Sequence, residues 1–380
     1  MSPIVGVKAY GYEWSTVHGL DMAGAAQRLR AQGVDWALAQ NLVDPLPGSA
    51  VDQAPPSGAY DDAEWVLRLR DAGLRVYEST SCFFQPDEFA ADPGLRPVDQ
   101  HGRVFEPFSW YVGICPTDPA YLERKAERLA AALDVTRPDG VFLSFMRFPS
   151  FWEMWLPDAP GFTGTRREDI AEYCFCERCL AQFSAAAGAD LGHGSTQERA
   201  GTILRELRQE WTDWKCGVIG GVAARLRAAA RDVVPDADVI CNGFGLGRDD
   251  FGNAVEEVLG QRPSDLDAAV DVYELMFYFQ IQKRDPETWI PERVAEVREQ
   301  TTRTVLADLQ GGAEYLEDIY APGRRKREIT EQDWLAALRG VARSGADGVL
   351  VYSWRDLLAD EARGGERVRR LQEYKAGDLG

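Results

Sequence analysis

Short apolar runs alternate along the chain with longer stretches whose apolar residues recur every three to four positions. The runs at 4–12, 34–42, 74–79, 141–148, 239–244, 269–277, 302–310 and 348–354 read as eight strands. Between them, residues 22–29, 61–71, 200–230 and 292–300 carry helical spacing, and an amphipathic helix closes the chain. Two helix starts are explicit. Asp118-Pro119 pairs a capping residue with proline at the first helical position, ahead of Leu122, Ala126, Leu129 and Leu133. Thr330 with Asp333 three residues on is close to a capping box. A phrase of helix, glycine, apolar run and then polar and aromatic residues recurs at Gly33, Gly73, Gly140 and Gly348.

Eight strand–helix units predict a parallel sheet of the α/β class, and their number and spacing fit a single (β/α)8 TIM barrel over residues 1–380. Long loops follow strands three and four. A doubly wound open sheet is the alternative, but no G-x-G-x-x-G follows the first strand. No linker or shift in composition divides the chain.

In such a barrel the chemistry sits at the C-terminal strand ends. Those ends offer Tyr12, Gln40, Asn41, Glu78, Ser144, Arg147, Trp152, Glu153, Asn242, Glu274, Asp308, Trp354 and Asp356. Carboxylates and amides interleaved with aromatic rings suit a sugar, whose hydroxyls need polar partners and whose C–H faces stack on Trp and Tyr. Hydrolysis of a glycoside needs two carboxyl groups flanking one bond. Glu153, desolvated beside Trp152 and Trp155, is the expected acid/base; Glu274 or Asp308, on adjacent strands, is the expected nucleophile or water-activating base. The bland alternatives are that Glu274 only neutralises Arg147 and that the tryptophans only pack. His18, His101 and His193 show no triad context, so a serine nucleophile at Ser144 is not expected.

Composition narrows the partners. A net charge of −19 argues against nucleic acid and anionic membrane surfaces. No apolar run approaches a membrane span, and the N-terminus carries no basic segment ahead of an apolar one, so a cytoplasmic protein is expected. A small carbohydrate is the expected partner; a homo-oligomer is compatible with the sequence and not fixed by it. No phosphate loop or histidine cluster calls for an organic cofactor. The 7 cysteines include Cys174, Cys176 and Cys179 as C-x-C-x-x-C, which reads as a structural zinc site short of one ligand. Cys115 is the first choice for that ligand and His193 the second; three reduced thiols without metal are the alternative.

The phrases ICPTDPAYLE (114–123), DGVFLSFMRFPSFWE (139–153) and CFCERCLAQF (174–183) resemble the glycoside-hydrolase-like TIM-barrel proteins, related in architecture to amylases and β-galactosidases. The cysteine cluster after strand four is similar to the zinc cluster of family 42 β-galactosidases, where the fourth cysteine comes from upstream, as Cys115 would. The resemblance implies a barrel glycosidase acting on a small glycoside or oligosaccharide. It also implies an Asp on strand four, in D-G-x-x-L-D-x-x-R, where this chain has Ser144. The family 42 pattern wants an Asn-Glu pair at the end of strand four and a Glu on strand seven; Glu153 and Asp308 stand only nearby. Two other readings follow: a carbohydrate-binding barrel that has lost hydrolysis, or a sugar-acid lyase or isomerase in which Arg147 grips the carboxylate and Glu274 and Asp308 hold a divalent metal.

Overall fold

The computed structural model describes residues 2–40, 60–155, 170–316 and 325–379. Eight parallel strands close on themselves in chain order: β1 (Ile4–Ala9), β2 (Trp36–Gln40), β3 (Arg75–Ser81), β4 (Gly140–Ser144), β5 (Asp238–Phe244), β6 (Val272–Phe277), β7 (Thr304–Gln310) and β8 (Gly348–Tyr352). The seam pairs Ile4–Val7 of β1 with Gly348–Val351 of β8. The expected (β/α)8 barrel is the fold found.

Strand alternation sorts side chains into two layers. Val5, Val7, Val76, Val141, Val239, Val305 and Val349 point outward and pack under the helices. Trp36, Leu38, Tyr77, Phe142, Ile240, Val272, Leu306 and Leu350 point inward and form an apolar plug. Strands four and eight enter this wall through glycine. A Cβ on Gly140 would collide with the carbonyl oxygen of Asp238, and one on Gly348 with that of Ile4.

The helix signals act as expected. Asp118 Oδ1 accepts from the Tyr121 N–H at 2.8 Å at the start of the helix Pro119–Thr136. Thr330 and Asp333 form a capping box ahead of Glu331–Ser344, and Gly345 ends that helix at a φ of 77°. Most strand ends differ by a few residues from the sequence pattern, and three boundaries stand out. The helical stretch expected over 200–230 is two helices, Thr196–Glu206 and Arg208–Val233, because Leu207 leaves helical geometry at φ −128°. Strand four stops at Ser144 since Phe145 takes a left-handed φ of 50°, turning the chain out into its loop. Strand six begins at Val272. The long loops after β3 and β4 lean on each other through bridges such as Asp99–Tyr173 and a buried aromatic set of Phe84, Phe105, Tyr111 and Phe151.

Candidate active site and thiol cluster

Above the apolar plug the lumen turns polar. Lys8, inward from β1, sets its Nζ 3.0 Å from Glu274 Oε1 on β6 and 2.8 Å from Asp308 Oδ2 on β7. Asn242 of β5 donates to Glu274 Oε2 at 2.6 Å, and the Tyr278 hydroxyl, just past β6, donates to Asp308 Oδ2 at 2.9 Å. The Tyr10 hydroxyl donates to Ser79 at 2.8 Å beside this group. Burial alone would lower the Lys8 ammonium, but Asp308 and Glu274 outweigh it and hold it above the ordinary lysine range. Burial pushes the Asp308 carboxyl well above the carboxylate range; Lys8 opposes this, and the charge and hydrogen-bonding reach of Glu274 add to it. One ammonium faces two carboxyls in a dry place, and of the two it is the Asp308 carboxyl that burial pushes towards its neutral form. Lys8, kept charged, is no amine nucleophile at neutral pH.

The second part of the site comes from the loop after β4. Glu153 is buried, accepts from the Tyr315 hydroxyl at Oε1 over 3.1 Å, and leaves Oε2 without a hydrogen-bond partner. Burial pushes its carboxyl up to about 7 against a backbone hydrogen bond, the Arg147 charge and the Tyr315 hydroxyl. Arg147 lies over the rings of Phe145 and Phe244, each centroid 4.9 Å from its guanidinium carbon. Trp152 joins the two parts, its ring 5.9 Å from Phe244 and 6.5 Å from Tyr278; Tyr278 in turn stacks on Tyr352 at 5.6 Å.

The structure therefore gathers Glu274, Asp308 and Asn242 at one level of the lumen, and Glu153, Arg147 and Trp152 around Phe244 and Tyr315. Ser144 stands at the lumen end of β4, but its hydroxyl donates to the Thr80 carbonyl at 3.1 Å. Several expectations need correction or limit. Glu78 alternates with the inward Tyr77 and so faces outward, against Thr136 of the helix Pro119–Thr136 and near Asp62, where burial raises it to about 7. Trp354 packs in the outer layer and donates its indole N–H to Gln32 at 2.8 Å. Asp356 closes a capping box with Ser353, accepting from its N–H at 3.0 Å and its hydroxyl at 3.1 Å. Tyr12 packs edge-on against Tyr60 at 4.8 Å, in the outer core. Gln40 is the last residue of β2, and Asn41 lies outside the described residues. Glu274 neutralises Lys8, and no ion pair joins it to Arg147.

Lys8, Tyr278 and Tyr315 were not expected at the site. The signal for Lys8 is in the sequence: a lone cation inside the apolar run IVGVKA, two residues beyond Gly6 on the inward parity. Nothing local marks Tyr315, which reaches Glu153 across 162 positions of chain.

The cysteines assemble as the spacing suggests. The sulfurs of Cys115, Cys174, Cys176 and Cys179 all lie within 4.8 Å of one another. Cys115 Sγ is 3.4 Å from Cys179 and 3.9 Å from Cys176. Four thiolates bound at about 2.3 Å around tetrahedral zinc would stand about 3.8 Å apart, so the donor set fits that ion in kind, number and spacing. His193 is exposed and outside the group. The cluster ties the loop after β3, through Cys115, to the end of the loop after β4.

No protein-family model matches the sequence, and no curated protein does. Solved structures match in fold. A β-galactosidase from the Antarctic haloarchaeon Halorubrum lacusprofundi has a TM-score of 0.61 at 15% identity, over 92% of this chain and 52% of that one. A β-galactosidase from the psychrophilic Marinomonas ef1 has 0.60 at 12%, over 97% and 61%. A GH42 β-galactosidase from G. stearothermophilus has 0.62 at 12%, over 100% and 58%. The chain thus spans only between half and about three fifths of these proteins. At such identities the likeness is one of fold: the chain is a (β/α)8 barrel built like the barrels of the GH42 β-galactosidases, with a buried four-cysteine group.

Proposed function

We propose that the chain, as one catalytic domain, is a glycoside hydrolase in which Glu153 is the general acid/base and the Glu274–Asp308 pair supplies the negative charge. One observation carries this reading: Glu153 and Asp308 each keep a buried carboxyl oxygen, Oε2 and Oδ1, without a hydrogen-bond partner, whereas both oxygens of Glu274 are engaged. A carboxyl pushed up to about 7 keeps a substantial protonated fraction at neutral pH and can pass its proton to a glycosidic oxygen. Asp308 Oδ1 is then the atom for the anomeric carbon, or for the water that attacks it. The Lys8 ammonium, paired with both carboxyls, opposes the effect of burial on Asp308 and favours its charged form, with Oδ1 left open. Trp152 and Tyr352 would cover the sugar's C–H face. We also propose that Cys115, Cys174, Cys176 and Cys179 hold a structural zinc ion, which braces the two loops that present Arg147 and Glu153.

The sugar-acid lyase reading loses support at Lys8, whose ammonium stands between the two carboxyls a divalent ion would need. The binding-barrel reading keeps one observation in its favour: Ser144, with its hydroxyl committed to the Thr80 carbonyl, stands where the resemblance wants an Asp. A panel of aryl glycosides of both anomers, run with Glu153→Gln and Asp308→Asn, separates the two. Turnover abolished by either variant supports hydrolysis; sugar binding by calorimetry with no turnover on any aryl glycoside selects the binding barrel.

A further inference from the structure

Arg147 is 3% exposed, and among the described residues its guanidinium makes neither a hydrogen bond nor an ion pair; its Nε is buried without any partner. What surrounds it is aromatic. The ring centroids of Phe145 and Phe244 each lie 4.9 Å from its guanidinium carbon, and the hydroxyls of Tyr111 and Tyr315 lie in its field. Two such cation–π contacts hold the guanidinium in place but satisfy none of its N–H donors. The nearest acid, Glu153, makes no ion pair with it, and burial pushes that carboxyl up to about 7, away from its charged form. A buried cation left this way is unfavourable unless something anionic completes it.

Other buried cations have polar partners, though the Nε of Arg367, like that of Arg147, makes no hydrogen bond. Lys215 is satisfied by Glu172 and backbone carbonyls, Lys8 by two carboxyls, and Arg367 by the carbonyls of Gly311 and Ile329. Arg147 differs from these in having a fixed, dry and unused donor edge beside the proposed acid.

We propose that Arg147 is the subsite for the carboxylate of an acidic sugar, so that the preferred substrate is a uronide, a glycoside of a uronic acid. The inference rests on the hydrolase reading for its chemistry but not for the binding. A planar carboxylate accepts two parallel N–H bonds from one guanidinium, a match that a neutral hydroxymethyl group cannot make. In a water-poor site those charge-assisted bonds discriminate strongly, because the neutral sugar leaves the cation unpaired.

The test is calorimetric titration of the full chain with D-glucuronate and D-galacturonate against D-glucose and D-galactose. Arg147→Met and Arg147→Lys are titrated in parallel, and aryl uronides and neutral aryl glycosides are assayed for turnover. At least one uronate is expected to bind 10-fold or more tighter than its neutral counterpart. Arg147→Met should bring the two within twofold of each other, and Arg147→Lys should retain part of the preference. Arg147→Met replaces an unpaired buried cation with an apolar chain of similar length, so its melting temperature should not fall. Equal binding of acidic and neutral sugars, or a preference that survives in Arg147→Met, overturns the inference. Turnover confined to neutral glycosides overturns it while leaving the hydrolase reading intact. Uronate preference without turnover of any glycoside upholds it and removes the hydrolase reading instead.

Discussion

The ammonium of Lys8 lies 2.8 Å from Oδ2 of Asp308, joining the first strand of the barrel to the seventh across the lumen. Both groups are buried, and Glu274 closes the triangle at 3.0 Å from the same nitrogen. A buried cation set between two carboxyls compensates their charge at this level of the lumen. Around it Asn242 donates to the second oxygen of Glu274 and Tyr278 to the same Oδ2 of Asp308, which orients each carboxyl and leaves Asp308 Oδ1 open.

Removing that cation should leave two buried carboxyls facing each other. Lys8→Met is expected to lose about 3–5 kcal/mol of stability, the usual consequence of breaking a buried pair from one side. Burial already pushes the Asp308 carboxyl up, and losing the ammonium that opposes this would push it further. The loss should therefore be full at pH 8 and shrink as the pH falls and Asp308 becomes neutral. Urea unfolding at pH 8 and pH 5 checks this; an equal loss at both would mean that charge is not what Lys8 contributes.

Glu153 sets a pH limit on the proposed reaction. Its carboxyl is pushed up to about 7 by burial, so the protonated, acid-competent form prevails below that and disappears above it. On a substrate with a poor leaving group, turnover should fall as the pH rises through about 7. Glu153→Gln should lower turnover by about 10²–10⁴-fold and remove this limb of the pH profile. With an activated aryl leaving group the loss should be smaller, since little protonation is needed. A pH–rate profile that keeps its alkaline limb in Glu153→Gln would assign the proton to another group.

Much of this was legible from spacing alone, and what was not has physical reasons. Eight apolar runs, their glycines and two capped helices give the barrel, because a parallel strand buried on both faces needs a nearly continuous apolar run. Carboxylates near strand ends are visible too, but whether one faces the lumen depends on parity, and a one-residue difference reverses it. Glu78 reads as a lumen residue until Tyr77 is seen to hold the inward position. Asp356 and Trp354 follow β8 closely enough to look like site residues, yet the first turn of the helix Trp354–Ala362 claims one as its cap and the outer core claims the other. Lys8 was overlooked because it sits inside an apolar run. The partnership of Glu153 with Tyr315 depends on two loops meeting, which no local pattern encodes.

The outward position of Glu78 has its own consequence. Burial raises its carboxyl from 4.5 to about 7, a shift equivalent to roughly 3 kcal/mol if fully expressed in stability. A folded-state value above the unfolded one means the protein is favoured below the unfolded value and loses that advantage as pH rises through about 7. Glu78→Gln keeps the shape and removes the ionisation. It should leave stability near pH 4 unchanged and raise it at pH 8, flattening that part of the profile, with turnover unaffected. Denaturant titrations of both proteins at the two pH values decide it; a variant destabilised at both would show that Glu78 is needed as an acid where it stands.

The thiol cluster offers a test of its surroundings as well as of the ligands. Thr117 is buried beside it, with its hydroxyl oxygen 3.2 Å from Cys115 Sγ and 3.1 Å from Cys179 Sγ. Metal-bound thiolates carry residual negative charge and accept hydrogen bonds, and such outer partners typically change metal affinity 10–100-fold. One zinc ion per chain is expected in protein prepared without chelator, and Cys179→Ser, which removes a ligand, should abolish stoichiometric binding. Thr117→Val keeps the volume and the branched shape but loses the hydroxyl. It should still bind one zinc ion, about 10–100-fold more weakly in competition with a chromogenic chelator, and should show a lower melting temperature only when zinc is limiting. Unchanged affinity in Thr117→Val would place the hydroxyl outside the metal's hydrogen bonding. A Cys179→Ser protein that binds zinc as tightly as the parent would overturn the four-thiolate site itself.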